Sequence, residues 1–319
     1  MTFSAKSRNF LFALAAIFAA STCGSCSQSE DSGPTQMGIG QAIVLGMVEG
    51  FTEFLPVSST GHLILAQRAM GIGTTEETKV AADAYAICIQ AGAILAVLGL
   101  YWEDLRRMLR GLAGRDREGC LLLANLCVAF VPAAVVGLLA GTAIKELLFG
   151  LKWVVAAWFV GGVAILVVSR NRKKAPPDQG IDLYAISWKC ALVIGVVQCI
   201  AVWPGTSRSL VTIVAGILVG LSLRSSVVFS FLLGALTLSA STMYDATAHG
   251  SVILDSYGWS SILTGFAMAF ISAVIAVRWM VEYLKSHGLT IFGYYRIALA
   301  IVVAALLAMG LLNGNSLPA

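Results

Sequence analysis

The stretch Glu49-Gly50-Phe51-Thr52-Glu53-Phe54-Leu55-Pro56-Val57-Ser58-Ser59-Thr60-Gly61-His62 decides how the rest of the chain is read. It lies inside an apolar segment running from about Ile39 to Leu65. Two carboxylates, a run of hydroxyls, a proline and a histidine do not belong in a lipid-facing helix. A charge at bilayer depth costs several kcal/mol and is normally kept there for function. Glu49 and Glu53 are four apart, so on a helix they share one face. Pro56 and Gly61 interrupt the helix, and Ser58-Ser59-Thr60 can satisfy a bent backbone. The pattern predicts a broken, re-entrant hairpin over roughly 38–68 with a polar site at its tip. Such backbone is tolerated at membrane depth when it is buried in protein or lines a wet cavity.

Composition sets the surroundings. The chain has 319 residues, is 58% hydrophobic and only 12% charged, which marks a polytopic membrane protein. Its 32 glycines suit close helix packing in lipid. The net charge of +4 comes from basic residues in short stretches between apolar segments. These serve topology, and no nucleic-acid partner is expected. Cys88, Cys120, Cys127, Cys190 and Cys199 lie in apolar segments and read as small hydrophobes. Cys23 and Cys26 form a CxxC without a second pair, so a zinc site is not indicated. There is no glycine-rich nucleotide loop and no soluble domain.

Residues 1–36 resemble a signal peptide or signal anchor: Lys6 and Arg8 precede the apolar run Phe10–Ala20. Residues 37–319 read as one membrane domain. Its first repeat covers about 37–169: the hairpin, then spans near 82–102, 120–142 and 153–169. The loop 103–118 holds Arg106, Arg107, Arg110, Arg115 and Arg117. A basic linker, 170–183, opens with Arg170-Asn171-Arg172-Lys173-Lys174. Two spans separate these basic stretches, so both fall on one side, the cytoplasmic one by the positive-inside rule.

The second repeat covers about 184–313. Residues 186–219 are apolar but broken by Gln198, Pro204, Ser207, Arg208 and Ser209. Spans follow near 226–243, 258–281 and 297–313. The loop 244–257 should lie outside, and the loop 282–296, with Lys285 and Arg296, inside. Ala42-Ile43-Val44-Leu45-Gly46-Met47-Val48-Glu49 echoes Ala191-Leu192-Val193-Ile194-Gly195-Val196-Val197-Gln198. Each repeat is a re-entrant hairpin plus three transmembrane helices. Three is odd, so the second repeat is inverted and the hairpin tips meet near the midplane. The fold class expected is an all-α polytopic membrane protein.

The second break, Pro204-Gly205-Thr206-Ser207-Arg208-Ser209-Leu210-Val211-Thr212, brings an arginine into the membrane. Its fork of donors matches phosphate oxygens. Glu49 and Glu53 can hold a hard divalent cation through oxygen. His62 can move a proton near neutral pH. Ser59 can attack phosphorus once a base takes its proton. Blander readings stand beside these. Glu49 and Glu53 could serve only to pair with Arg208, and His62 could cap a broken helix. Ser58, Ser59 and Thr60 could satisfy a kink. Gln198 is a structural hydrogen-bonder or a site residue, and Thr212 lines the site or bonds the preceding turn. His249 and His287 fall in loops and read as solvated.

These residues carry a close resemblance. Glu49-x-x-x-Glu53-Phe-Leu-Pro-Val-Ser-Ser-Thr-Gly-His62 and Pro204-Gly-Thr-Ser-Arg208-Ser resemble the two signature motifs of the bacterial undecaprenyl-diphosphate phosphatase family, the bacitracin-resistance type. Ile89-Gln90-Ala91-Gly92-Ala93-Ile94-Leu95-Ala96-Val97 and Phe292-Gly293-Tyr294-Tyr295-Arg296-Ile297 support it. The resemblance spans about 37–313.

It implies an integral hydrolase of the bacterial cytoplasmic (inner) membrane, with its active site on the extracytoplasmic side. Such an enzyme removes one phosphate from the C55 polyprenyl diphosphate lipid, needs Mg²⁺ or Ca²⁺, and returns the monophosphate to cell-wall synthesis. Its overproduction confers bacitracin resistance. By position Glu49 and Glu53 are the acidic pair, Ser59 and His62 the catalytic-loop residues, and Arg208 the phosphate binder. Ser207 and Thr212 also fall on motif positions, and Ser58, Thr60, Gln198 and Ser209 are further candidates for substrate contact. The chain departs from the pattern at Ala86, where an acidic residue is common, and at Leu236, where a proline is common. The nucleophile, Ser59 or an activated water, stays open, as does oligomeric state, a homo-oligomer included. The competing class is a lipid-phosphate transporter or flippase, which needs phosphate binding but no nucleophile and base.

Overall fold

A computed structural model describes residues 37–73, 76–148, 150–171 and 178–312. The leader reading for residues 1–36, and much of the basic linker, lie outside the described residues. Eleven α-helices are present among those described: α1 Ile39–Thr52, α2 Ser59–Ala69, α3 Glu76–Leu100, α4 Trp102–Leu112, α5 Arg117–Leu148, α6 Leu151–Asn171, α7 Trp188–Gln198, α8 Arg208–Leu218, α9 Leu223–Ser256, α10 Trp259–Ser286 and α11 Thr290–Ala308. Short 3₁₀ turns stand at Leu183–Ala185 and Cys199–Val202. No named strand occurs among the described residues.

Six helices are long and apolar enough to cross a membrane, with spans at Thr78–Leu100, Arg117–Gly141, Leu151–Arg170, Leu223–Tyr244, Trp259–Ser286 and Thr290–Ala308. An all-helical, multi-pass membrane protein follows. The helices α1, α7 and α8 are apolar but short, as broken hairpins require. Pro56 ends the first arm, because proline cannot donate to the helical ladder. The second arm ends in the 3₁₀ turn ahead of Pro204.

Three expected loops are corrected. The arginine-rich stretch 103–118 is mostly helix α4, with Glu103 and Asp104 in its first turn and Arg110 in its last. That charge order favours a helix dipole. Trp102, Leu105, Met108, Leu109 and Leu112 recur at helical spacing, a period outweighed in the sequence by the density of charge. Arg107 bonds Asp116 at 2.9 Å and Glu118 at 2.5 Å, and its guanidinium lies 3.9 Å from the Tyr184 ring centroid. The bond from Arg107 holds the Asp116 carboxyl below its usual range. The stretch 244–257 is mostly the continuation of α9. The stretch 282–296 is helical except for His287, Gly288 and Leu289. Arg296 is therefore not a loop charge at all: it sits in α11, fully buried.

Packing crosses between the two halves of the chain. The first hairpin arm, α1, lies along α10, and the second, α7, lies along α5. Helix α3 packs on α9, and α6 on α11. Close approach needs glycine at corresponding places: a Cβ on Gly46 would run into the backbone of Gly265, and one on Gly195 into that of Ala129. The turn residues Phe54, Leu55 and Val57 are buried in a cluster with Ala93, Val97, Phe231, Ala273, Val277 and Phe292. The tip of the first hairpin is thus held in packed protein, which satisfies the condition for irregular backbone at membrane depth.

Candidate active site

Glu53 is the point where the two hairpins meet. It follows the last residue of α1 and donates its own N–H to the Glu49 carbonyl at 2.9 Å. Its Oε2 accepts from the hydroxyl of Ser59, the first residue of α2. Its Oε1 accepts from Nη2 of Arg208, the first residue of α8, at 3.1 Å. The ion pair is largely withdrawn from solvent, its side chains 12% exposed for Arg208 and 7% for Glu53. Arg208 also donates from Nη1 to the Ser230 carbonyl at 3.4 Å, and its guanidinium lies 5.6 Å from the Phe54 ring centroid. Its Nε is buried and makes no hydrogen bond. Gly234 on α9 gives the guanidinium its room, since a Cβ there would overlap it.

Glu49, one helical turn before Glu53, is buried beside it, and Oε2 of Glu49 makes no hydrogen bond. Two adjacent carboxylates with an unengaged oxygen offer hard ligands. Among the described residues no group of three or more His, Cys, Asp or Glu stands together. The pair therefore fits a cation that takes one or two protein carboxylates and draws its other ligands from phosphate and water, as Mg²⁺ commonly does.

His62 is set apart from this link. Its Nδ1 lies 2.6 Å from the Ser58 carbonyl, and its Nε2 lies 2.8 Å from the Tyr295 hydroxyl. A carbonyl only accepts, so Nδ1 carries the hydrogen. In the neutral ring Nε2 then accepts from Tyr295. The ring lies 5.5 Å from Trp158 and 5.8 Å from Tyr295 between centroids. The hydrogen-bond partner of Ser59 is Glu53, not His62.

The remaining residues divide by role. Ser209 donates to the Leu55 carbonyl at 2.9 Å and ties the second hairpin to the first turn. Ser207 caps α8 by accepting from Leu210 N–H, and its hydroxyl lies 3.0 Å from that of Ser209. Thr212 bonds back to the Arg208 carbonyl at 2.8 Å and meets Ser230 at 2.6 Å. Ser58 is buried in the turn, whereas Thr60 is exposed and stands apart from the buried group. Gln198 is buried, and neither atom of its amide makes a hydrogen bond. His287 is exposed, and the His249 side chain lies outside the described residues.

Sequence reasoning missed the contribution of α11. Arg296 donates to the carbonyls of Pro56 at 3.3 Å, Ala157 at 2.9 Å, Trp158 at 3.4 Å and Gly205 at 3.0 Å. It thereby joins the turns of both hairpins to α6. The signal that would have found it is the run Phe292–Ile297: an arginine four residues after an apolar start belongs to the span.

Comparison with known proteins places the chain in a family. The family described as "Bacitracin resistance protein BacA" matches residues 42–302. The chain is 43% identical over 263 residues to an undecaprenyl-diphosphatase of Sorangium cellulosum, covering 82% of this chain and 84% of that one. It is 43% identical to an undecaprenyl-diphosphatase of Methylococcus capsulatus, over 85% of this chain and 95% of the relative. It is 42% identical to undecaprenyl-diphosphatase 2 of Rhodospirillum rubrum, over 86% of this chain and 97% of the relative. The matched region takes in both hairpins and every residue of the Glu53 link, and the chain belongs to the BacA, or bacitracin resistance protein, family.

Proposed function

We propose that this protein is a membrane phosphatase that hydrolyses undecaprenyl diphosphate to undecaprenyl phosphate and inorganic phosphate. That activity recycles the lipid carrier and accords with bacitracin resistance. The observation that carries the site assignment is the Ser59–Glu53–Arg208 link, which brings a hydroxyl, a carboxylate and a guanidinium from two separate hairpins together away from water.

Arg208 binds the phosphate oxygens through its planar fork, and Glu53 holds that fork in place. The first turns of α2 and α8 add the positive ends of two helix dipoles, which favour an anion. In hydrolysis an oxygen joins the terminal phosphorus, the anhydride P–O bond breaks, and the lipid monophosphate leaves. Glu53 Oε2 already holds the Ser59 hydroxyl and takes its proton if Ser59 attacks, after which water cleaves the Ser59 phosphoester to release inorganic phosphate and restore the hydroxyl. The neutral His62 ring, with its hydrogen on Nδ1, takes a proton at Nε2 from the incoming oxygen and returns it to the leaving oxygen. Glu49 and Glu53 would hold Mg²⁺ or Ca²⁺, which when bound neutralises phosphate charge.

Finer features of the topology belong to the same reading. The second half repeats the first with inverted topology, a reading supported by the crossed packing of α1 on α10 and α7 on α5. The basic stretches put α4 and the linker at the cytoplasmic face of the inner membrane. The first hairpin then opens to the extracytoplasmic side.

The test is phosphate release from a C15 or C55 polyprenyl diphosphate by detergent-purified protein, with Mg²⁺, with chelator, and with His62→Ala or Ser59→Ala. Metal-dependent release that His62→Ala loses is expected. Activity surviving in Ser59→Ala identifies water as the nucleophile. Folded wild-type protein that binds lipid diphosphate without releasing phosphate would move the reading to a lipid-phosphate transporter.

A further inference from the structure

We propose that Tyr295 is a positioning residue: its hydroxyl, held by the Arg296 clasp, donates to Nε2 of the Nδ1–H His62 ring and aims that nitrogen at the reacting phosphate. The inference rests on the reading of His62 as the proton carrier.

Three observations converge. The Tyr295 hydroxyl lies 2.8 Å from Nε2, while Nδ1 is committed to the Ser58 carbonyl at 2.6 Å. Both ring nitrogens are therefore engaged, and only Nε2 is free to exchange its partner for a substrate oxygen. The ring planes of His62 and Tyr295 are parallel to within 6°, with centroids 5.8 Å apart. The next residue, Arg296, is 0% exposed and bonds carbonyls of Pro56, Ala157, Trp158 and Gly205. That anchoring fixes the start of α11 against both hairpin turns. Tyr295 consequently cannot drift from His62 without breaking buried bonds. The groups facing the imidazole are the Tyr295 phenol, the Arg296 charge and, from α6, the uncharged Trp158 ring. None of them is a carboxylate. The Ser58 carbonyl thus sets the tautomer, and the Tyr295 hydroxyl rather than an acidic partner holds the Nε2 end of the ring.

The experiment is a double-mutant cycle with a spectroscopic readout on the full chain in detergent. Rates of phosphate release are measured for wild type, Tyr295→Phe, His62→Ala and the double variant. Histidine ¹⁵N spectra are recorded for wild type and Tyr295→Phe. The chain has three histidines, so His62→Ala identifies the signal of His62. Tyr295→Phe keeps the ring and is expected to lower kcat about tenfold or more with KM little changed. It should add nothing once His62 is gone, and should shift the Nε2 resonance through loss of its hydrogen bond while the Nδ1–H signal stays. A wild-type rate in Tyr295→Phe beside an inactive His62→Ala would overturn the proposal and leave the reading of His62 intact. Full additivity would overturn it too, since Tyr295 would then act elsewhere. An Nε2–H tautomer in the wild-type protein overturns it without any variant. A fully active His62→Ala overturns both the proposal and the reading beneath it.

Discussion

Ser58 and Ser207 hold the same positive-φ conformation, φ 75° with ψ 103° and φ 73° with ψ 111°, each immediately ahead of a helix of 11 residues. Among the described residues they alone, glycines aside, have positive φ. Such backbone is held only where the surroundings over-determine it, and it clusters at functional sites. Here each serine aims the first turn of its helix at Glu53, so Ser59 and Arg208 reach opposite oxygens of one carboxylate.

The backbone requirement can be separated from the hydroxyls. Ser58 makes no side-chain cap bond, whereas Ser207 accepts from Leu210 N–H. Ser58→Gly is expected to leave thermal stability in detergent nearly unchanged. Ser207→Gly should lose at most about 1 kcal/mol, because the lost cap is offset by relieved strain. Valine at either position, with its branched Cβ, should lose about 1–3 kcal/mol. Equal melting temperatures for the glycine and valine variants would show that the turns are not strained.

Gly234→Ala tests the placement of Arg208 without touching its charge. The added methyl overlaps the guanidinium and forces it off the Glu53 oxygen. A displacement of about 1 Å in a binding group can lower the rate about 10²-fold. A fall in kcat/KM of that order is expected, with folding intact by size-exclusion chromatography. An unchanged kcat/KM would mean that Arg208 does not need this position.

The Glu53–Arg208 pair should behave as a buried unit. Removing Glu53 alone, as Glu53→Ala, leaves an uncompensated buried charge and should destabilise the protein by about 3–5 kcal/mol. The double variant Glu53→Gln, Arg208→Met should be more stable than Glu53→Ala, although both are inactive. Thermal unfolding of the purified variants measures this. A double variant less stable than the single one would show that the pair itself contributes net stability.

Much of this arrangement was legible in the sequence, and the reason is hydropathy. Charges are so disfavoured in lipid that Glu49, Glu53 and Arg208 stand out within apolar runs. The breaks at Pro56 and Pro204 mark the hairpins because proline cannot continue a helix. The positive φ of Ser207 was not legible, because its cause is the tertiary fit around the turn. Nor was the partner of His62. Ser59, three residues earlier, looked like its companion, but Ser59 turns to Glu53 and His62 turns to α11. Tyr295 is 233 residues away, and no local pattern links them. Arg296 was misplaced for a physical reason. Topology rules count arginines as flanking charges, and a buried guanidinium that satisfies its donors on four carbonyls has no such signature.

Arg296→Lys follows from that last point. The guanidinium donates to carbonyls in both hairpin turns and in α6, with no ion pair to a carboxylate among the described residues. A lysine keeps the charge but has three donors on one nitrogen, and it cannot span acceptors that lie on different sides of a planar fork. At least one buried carbonyl then loses its partner, at about 1–3 kcal/mol. The turns at Pro56 and Gly205 also lose their common tether, so Ser59 and Arg208 no longer hold register. Arg296→Lys is therefore expected to melt several degrees lower in detergent and to lose about 10²-fold in kcat, while still inserting in the membrane. A variant that melts lower but keeps its kcat would make Arg296 a stabiliser of the fold and separate it from the chemistry.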